Sequence, residues 1–362
     1  MTHILRDWYR RHFSDPQAVI LALLLVTGFA LVYAFGDMLA PVLAAIVIAY
    51  LLEGIVCALE RRGIRRPLAV VLVFLAFVLA LLFIALGIVP RLSIQLTQLV
   101  QHLPDMLAKG REMLLEIPQK YPGFVTDAQL GGIVDTIQSE LARLGQRVLS
   151  YSVSSLVGII TVLVYLILVP ILVFFFLKDK ETLLAWVAHY LPEERALTRQ
   201  VWQEVNEQIG NYVRGKVWEI IIVGSVTYVT FRLFGLQYAV LLATLVGFSV
   251  VVPYIGAAVV TVPVALVAFF QWGLGHEFAY VMLAYLVIQA LDGNVLVPLL
   301  FSEVVNLHPV AIIVAILVFG GLWGFWGVFF AIPLATLVKA VLRAWPRQPE
   351  PASPAGQGSA AD

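Results

Sequence analysis

From residue 233 to residue 338 the chain has no lysine and no arginine. Soluble domains carry a charge at roughly one residue in four, whereas only 13% of these 362 residues are charged. Scarcity of that kind excludes a fold whose whole surface faces water. Cysteine is nearly missing too. The single Cys57 excludes an intrachain disulfide, and in its apolar run it reads as a small packed hydrophobe. Net charge is zero, so there is no excess of either sign for a nucleic acid or another polyanion to read.

Catalytic signatures are absent as well. Residues 210–216, GNYVRGK, fit G-x-x-x-x-G-K, but Val217 stands where a P-loop needs Ser or Thr for magnesium. The expected reading is a helix running into a membrane, with Arg214 and Lys216 at the headgroups. His276 and Glu277 begin an H-E-x-x-H, but Tyr280 takes the place of the second histidine, so no zinc site follows. No G-x-S-x-G occurs. Nothing here indicates an enzyme, a cofactor or a metal centre.

What the chain has is apolar surface: 61% hydrophobic residues and a mean hydropathy of +0.94. A bilayer core takes roughly 20 apolar helical residues to cross. About eight segments qualify, at residues 18–35, 39–59, 67–89, 155–177, 217–234, 238–270, 278–301 and 309–342. The expected fold is an all-α integral membrane protein. The first run is too long for the apolar part of a cleaved leader and is read as a span. Basic residues cluster at Arg6, Arg10 and Arg11, at Arg61 to Arg66, at Lys178 and Lys180, and at Lys339 and Arg343. By the positive-inside rule both termini are cytoplasmic.

Two segments are long and interrupted. Residues 238–270 contain VVPYIG, with Pro253 and Gly256. Residues 309–342 contain GGLWGFWG, with Gly320, Gly321, Gly324 and Gly327. Proline removes a donor and glycine lets the chain turn. Each segment is either one tilted span or a hairpin that enters the membrane and returns. Residues 91–154 are polar, with Leu92, Leu96, Leu99, Leu103 and Leu107 at helical spacing. They read as amphipathic helices on the outer side, lying on the membrane or against a neighbouring subunit. Residues 192–208 read as a second such stretch, on the inner side. The organisation expected is residues 1–90 with three spans, 91–154 outside the membrane, 155–237 with two spans and a linker, 238–345 for transport, and a disordered tail at 346–362.

The acids are few enough to weigh singly. Glu277 sits in a polar loop and is expected in water. Glu53 is expected to snorkel toward Arg61 or Arg62; the alternative is that it lines the transport path. Asp292 directly follows YVMLAYLVIQAL, then meets Gly293, Asn294 and Pro298. That cluster reads as a helix unwound at membrane depth, with Gly293 as the break; the alternative is an ordinary helix end at the surface. Intramembrane acids are functional by default, and discontinuous helices hold solutes and ions. The candidate site is Asp292, Asn294 and Pro298, with Glu303 and His308 nearby. With no basic residue close in sequence, a mobile cation, Na⁺ or H⁺, is expected to balance Asp292 in preference to the alternative, a packing partner from an earlier span. His308 either gates or relays protons, or caps the last segment.

Taken in order, VVPYIG, DGNVLVP (Asp292 to Pro298), NLHP (His308, Pro309), FGGLWGFWG and AIP (Ala331, Pro333) resemble the autoinducer-2 exporter family of bacterial inner-membrane proteins, particularly its permease-type members. The resemblance covers nearly the whole chain. It implies export of a small polar solute by some members and sodium/proton antiport by others, in a homo-oligomer, with a pentamer as one arrangement. Four positions depart from the pattern. Val297 and Leu299 replace a Glu and a Lys, Ser302 replaces a Gly, and Lys216 replaces a Gln. A secondary transporter is the leading expectation. A membrane scaffold acting through residues 91–154 is the alternative.

Overall fold

The computed structural model describes residues 16–115, 143, 156–190, 196–253, 255–301 and 307–344. Expectations for residues 1–15, for Glu303 and Ser302, for the end of the amphipathic region and for the tail lie outside them. Every regular element among the described residues is helical. In chain order these are α1 (Pro16–Arg61), α2 (Arg66–Phe83), α3 (Val89–Leu115), α4 (Leu156–Lys178), α5 (Lys180–His189) and α6 (Ala196–Leu233). Then come α7 (Ala239–Ser249), α8 (Ile255–Trp272), α9 (His276–Leu291), α10 (Val297–Phe301), α11 (Pro309–Phe329) and α12 (Ala331–Ala344).

Among the described residues, five stretches are long and apolar enough to cross a membrane: Met38–Arg61, Arg66–Met106, Ile255–Trp272, His276–Phe301 and Pro309–Phe329. Three shorter apolar helices are Ala22–Gly36, Val164–Lys178 and Ala239–Ser249. Their outer faces carry exposed apolar side chains such as Leu79, Leu86, Ile167 and Leu317. Surface of that composition belongs against lipid. The division differs from the expected one. Residues 217–233 lie in α6, which is not among these apolar helices, while residues 238–270 hold two helices, one of the two arrangements expected for that segment.

The chain forms two compact units. The larger comprises Pro41–Lys180 and Asn211–Val304; the other comprises Met1–Ala40, Glu181–Gly210 and Val305–Asp362. In the larger unit, Ala45 and Val56 of α1, Ala69 and Val73 of α2, and Val173 and Leu177 of α4 share one core. Glu53 sits above it. Its carboxylate accepts hydrogen bonds from Arg66 Nη2 at 3.1 Å and Lys180 Nζ at 3.0 Å. Arg66 also reaches Glu60 at 3.4 Å and the Leu177 carbonyl at 3.3 Å. The partners expected for Glu53, Arg61 and Arg62, are thus replaced by a cation one helix on and another from α5.

No stop separates the third span from the amphipathic region. α2 passes into α3 through a π-turn, Ile84–Ile88, where the Val89 N–H bonds the Ile84 carbonyl five residues back. Pro90 follows at once. A proline ring inside a helix collides with the carbonyl four residues earlier; a π-turn is wider and accommodates it. A second core joins α3 to the C-terminal helices of the unit. Leu92, Leu96, Leu99 and Met106 pack against a cluster that includes Phe231, Leu242, Val246, Val264, Val281 and Tyr285. Gln95 Oε1 accepts the Leu241 N–H at 2.8 Å, and His102 Nδ1 lies 2.7 Å from the Tyr238 hydroxyl. The start of the leucine stripe therefore packs against its own chain. Against lipid, helix contacts depend on close packing and hydrogen bonds more than on hydrophobic burial. Tyr285 supplies one such bond, its hydroxyl 3.0 Å from Thr261 Oγ1.

The first interrupted segment is a helical hairpin. α7 and α8 pack on each other, joined by a turn through Pro253. Gly256 lies so close to Ser249 that a Cβ there would overlap the Ser249 carbonyl; a continuous helix would hold these residues about 10 Å apart. At the base, Gln271 Oε1 accepts the Gln237 N–H at 2.8 Å and Gln271 Nε2 donates to the Gly235 carbonyl at 2.9 Å.

In the smaller unit the second interrupted segment also reverses. Gly324 has φ +57° and ψ −132°, a conformation that essentially requires glycine. Beyond it a Cβ on Gly327 would overlap the Phe319 carbonyl. α11 and α12 pack together, and Leu25, Ile209, Leu337, Ala340 and Val341 form this unit's core.

Candidate functional site

The site is built on α6. Tyr212, Lys216, Glu219 and Val223 recur at four- and three-residue intervals, so they lie on one helix face. All four are buried, Lys216 to 3% and Glu219 to 2% exposure. The opposite face carries Trp218 at 58% and Ile221 at 49% exposure. Charge inside and apolar surface outside is the reverse of a helix in water. The segment 210–216 is helical throughout, so it offers no loop to cradle a phosphate. Lys216 is not at a headgroup, as its place before an apolar run suggested.

Lys216 Nζ is held from several sides. It forms an ion pair with Glu219 Oε2, three residues on in α6. It donates to the Val250 carbonyl at 2.9 Å. Val250 closes α7 at the hairpin turn, so the lysine satisfies one of the carbonyls that a helix end leaves unpaired. The rings of Phe301 and Tyr212 face Nζ at 5.0 and 5.9 Å, within cation–π range. Gly215 makes the fit possible: a Cβ there would lie 2.8 Å from Phe301 Cε1 and 3.3 Å from the Leu300 carbonyl.

Asp292, the residue that follows α9, completes the group. It is within electrostatic reach of both Lys216 and Glu219. Its Oδ1 is buried and has no hydrogen-bond partner among the described residues, and neither does the buried Tyr212 hydroxyl. The ammonium is paired to Glu219 and lies within electrostatic reach of a second carboxylate. An unpaired polar atom in such a setting costs about 1–3 kcal/mol, and a charge at membrane depth more. Among the described residues no three His, Cys, Asp or Glu gather as metal ligands.

Around Asp292 two expectations need correcting. The helix is not unwound at residues 292–298. It continues from α9 through a π-turn, Asp292–Leu296, into α10, and the Asp292 carbonyl accepts the Val297 N–H. Gly293 is therefore helical rather than a break, and Pro298 follows the π-turn as Pro90 follows the other. Nor does Asp292 lack a nearby cation: Lys216 arrives from an earlier helix. Asn294 turns outward, its Nδ2 donating to the Ala290 carbonyl at 2.8 Å, and Pro298 is exposed. His308, in the other unit, is an exposed N-cap whose Nδ1 accepts the Val310 N–H at 3.3 Å. Glu277 is exposed, as expected. Of the helix-break residues, Pro253 and Gly256 form the α7–α8 turn, and Gly320, Gly321 and Gly324 lead into the α11 reversal.

Sequence reasoning placed Lys216 at the headgroups and passed over Glu219. The signal was the spacing of Tyr212, Lys216 and Glu219 on one face, with Trp218 and Ile221 on the other.

Residues 20–347 match a family model described as AI-2E family transporter. The chain is 51% identical over 346 residues to a protein of Escherichia coli (strain K12) named permease PerM, covering 96% of this chain and 98% of that one. It is 25% identical over 342 residues to a protein of Bacillus subtilis (strain 168) named transport protein YueF, covering 91% of this chain and 92% of that one.

Proposed function

The chain belongs to the AI-2E transporter family, and from that premise we propose that it is a secondary transporter whose ion-coupling group is Asp292. It moves a small polar solute outward or exchanges cations, as a homo-oligomer in the bacterial inner membrane, with both termini in the cytoplasm. The α7–α8 and α11–α12 hairpins enter the membrane and return to the same side. Broken helices of this kind bring helix ends to ion sites in secondary transporters, which fits the Val250 carbonyl beside Lys216.

One observation carries the reading. A buried carboxylate oxygen of Asp292 lacks a hydrogen-bond partner, in a stretch apolar enough to cross a membrane, next to a buried lysine already paired to another acid. A structural carboxylate would be fully bonded. One whose charge must be balanced by an exchangeable cation suits a coupling step.

The test is flux in proteoliposomes under an imposed Na⁺ or H⁺ gradient. Asp292→Asn fills the same volume without the charge. We expect gradient-driven flux to fall at least about tenfold, a loss of roughly 1.4 kcal/mol of coupling, while the thermal unfolding profile stays near wild type. Equal, gradient-driven rates in both proteins refute the assignment.

A further inference from the structure

The arrangement about Lys216 is that of a cation site whose occupant is part of the chain. Its walls are oxygens: Glu219 Oε2 and the Val250 carbonyl in contact, with the Asp292 carboxylate within electrostatic reach. The Tyr212 hydroxyl is buried, unpartnered and close enough to Glu219 to feel its charge. Carboxylates, carbonyls and hydroxyls are the ligands hard cations choose. Two rings shield the ammonium.

Charge arithmetic then decides what else the site accepts. Two carboxylates and one ammonium sum to −1. One added monovalent cation closes the balance; a divalent cation overshoots it in a place where an uncompensated charge is costly. We propose that Lys216 is a tethered counter-ion that restricts this site to one monovalent metal cation, of which Na⁺ is the probe, by filling the place a second charge would take. Na⁺ enters at Asp292 while Lys216 stays on Glu219. This deepens the transporter reading and rests on the same site, but it is a statement about binding and is tested without transport.

The experiment follows thermal unfolding of the detergent-solubilised protein in NaCl alone or CaCl₂ alone, each against choline chloride of equal ionic strength. For the wild type we expect Na⁺ to raise Tm by about 2–4 °C at roughly ten times its Kd, and Ca²⁺ to do no more than choline. In Lys216→Gln the amide can still donate to Val250 but the charge is gone. Ca²⁺ should then raise Tm by a similar amount, and adding Asp292→Asn should remove that response. Should Lys216→Gln fail to fold, Glu219→Gln gives an independent reading. It is isosteric and leaves Lys216 to balance Asp292, so the Na⁺ response should vanish.

A wild type that ignores Na⁺, or one that responds to Ca²⁺ as Lys216→Gln does, overturns the proposal. So does a Glu219→Gln protein that keeps the full Na⁺ response. The two readings fail separately. Binding as described with no flux in any gradient sinks the transporter assignment alone. Flux lost in Asp292→Asn with no change of valence in Lys216→Gln sinks this one alone.

Discussion

Two glycines near the candidate site should respond in opposite ways to a single methyl group. At Gly215 the added Cβ would press on the Phe301 ring and the Leu300 backbone. The backbone cannot rotate away, so α6 and α10 must separate. Gly215→Ala should cost about 1–3 kcal/mol, as overpacking does. At Gly293 a Cβ meets nothing within 4 Å, and the position is helical. Gly293→Ala should be neutral or stabilising by up to about 1 kcal/mol. Thermal unfolding of the two variants checks both; a large loss at Gly293 would mean the helix does break there. The same scale shows what the sequence could reveal. Asp292 stood out because its neighbours are apolar over many residues on both sides. Lys216 and Glu219 did not, because what defines them is the packing of α6 against residues 250 and 301, and no periodicity links positions so far apart. The position of Lys216 before an apolar run looked like an interfacial charge, since sequence alone does not distinguish the lipid face of α6 from its protein face.

The elements divide in the same way. Both chain reversals fall where proline or glycine interrupts an apolar run; the interruptions were legible, but a single tilted span accounted for them equally well. Their fragility should differ. Gly324 requires a backbone conformation that an L side chain resists, so Gly324→Ala should cost about 1–3 kcal/mol. Gly256 faces a fixed carbonyl of the opposing helix, which no rotamer change relieves, and Gly256→Ala should lower Tm by more than Gly324→Ala does. A smaller effect at Gly256 would mean that the α7–α8 pairing is looser than described. The uninterrupted helix from α2 into α3 was not legible. Composition changes at Arg91 from apolar to amphipathic, but the period stays helical, so the change of surroundings resembled a change of element. Pro90 stands at that change, and proline ends most helices; only a wider turn lets one continue.

For the whole molecule the apolar surface was evident from composition alone, and the family resemblance came from the order of short motifs rather than from any one of them. The number of crossings was less accessible, because length and hydropathy do not distinguish a hairpin from a span. The α7–α8 hairpin makes a topological prediction. Gln237 and Gln271 meet at its base, so single cysteines at these positions, in a Cys57→Ser background, should be labelled from the same side of the membrane. Labelling from opposite sides would make the segment a crossing. A final consequence concerns chain length. Each π-turn, Ile84–Ile88 and Asp292–Leu296, holds one residue more than an α-turn would. A relative one residue shorter at either place would keep an unbroken helix, but everything beyond the gap would turn by about 100° about the axis. At the second π-turn that rotation would carry Phe301 off Gly215 and away from the ammonium it covers. Deletions between Asp292 and Leu296 should therefore be rare among chains that retain a lysine at position 216, and tolerated more readily where that lysine is absent.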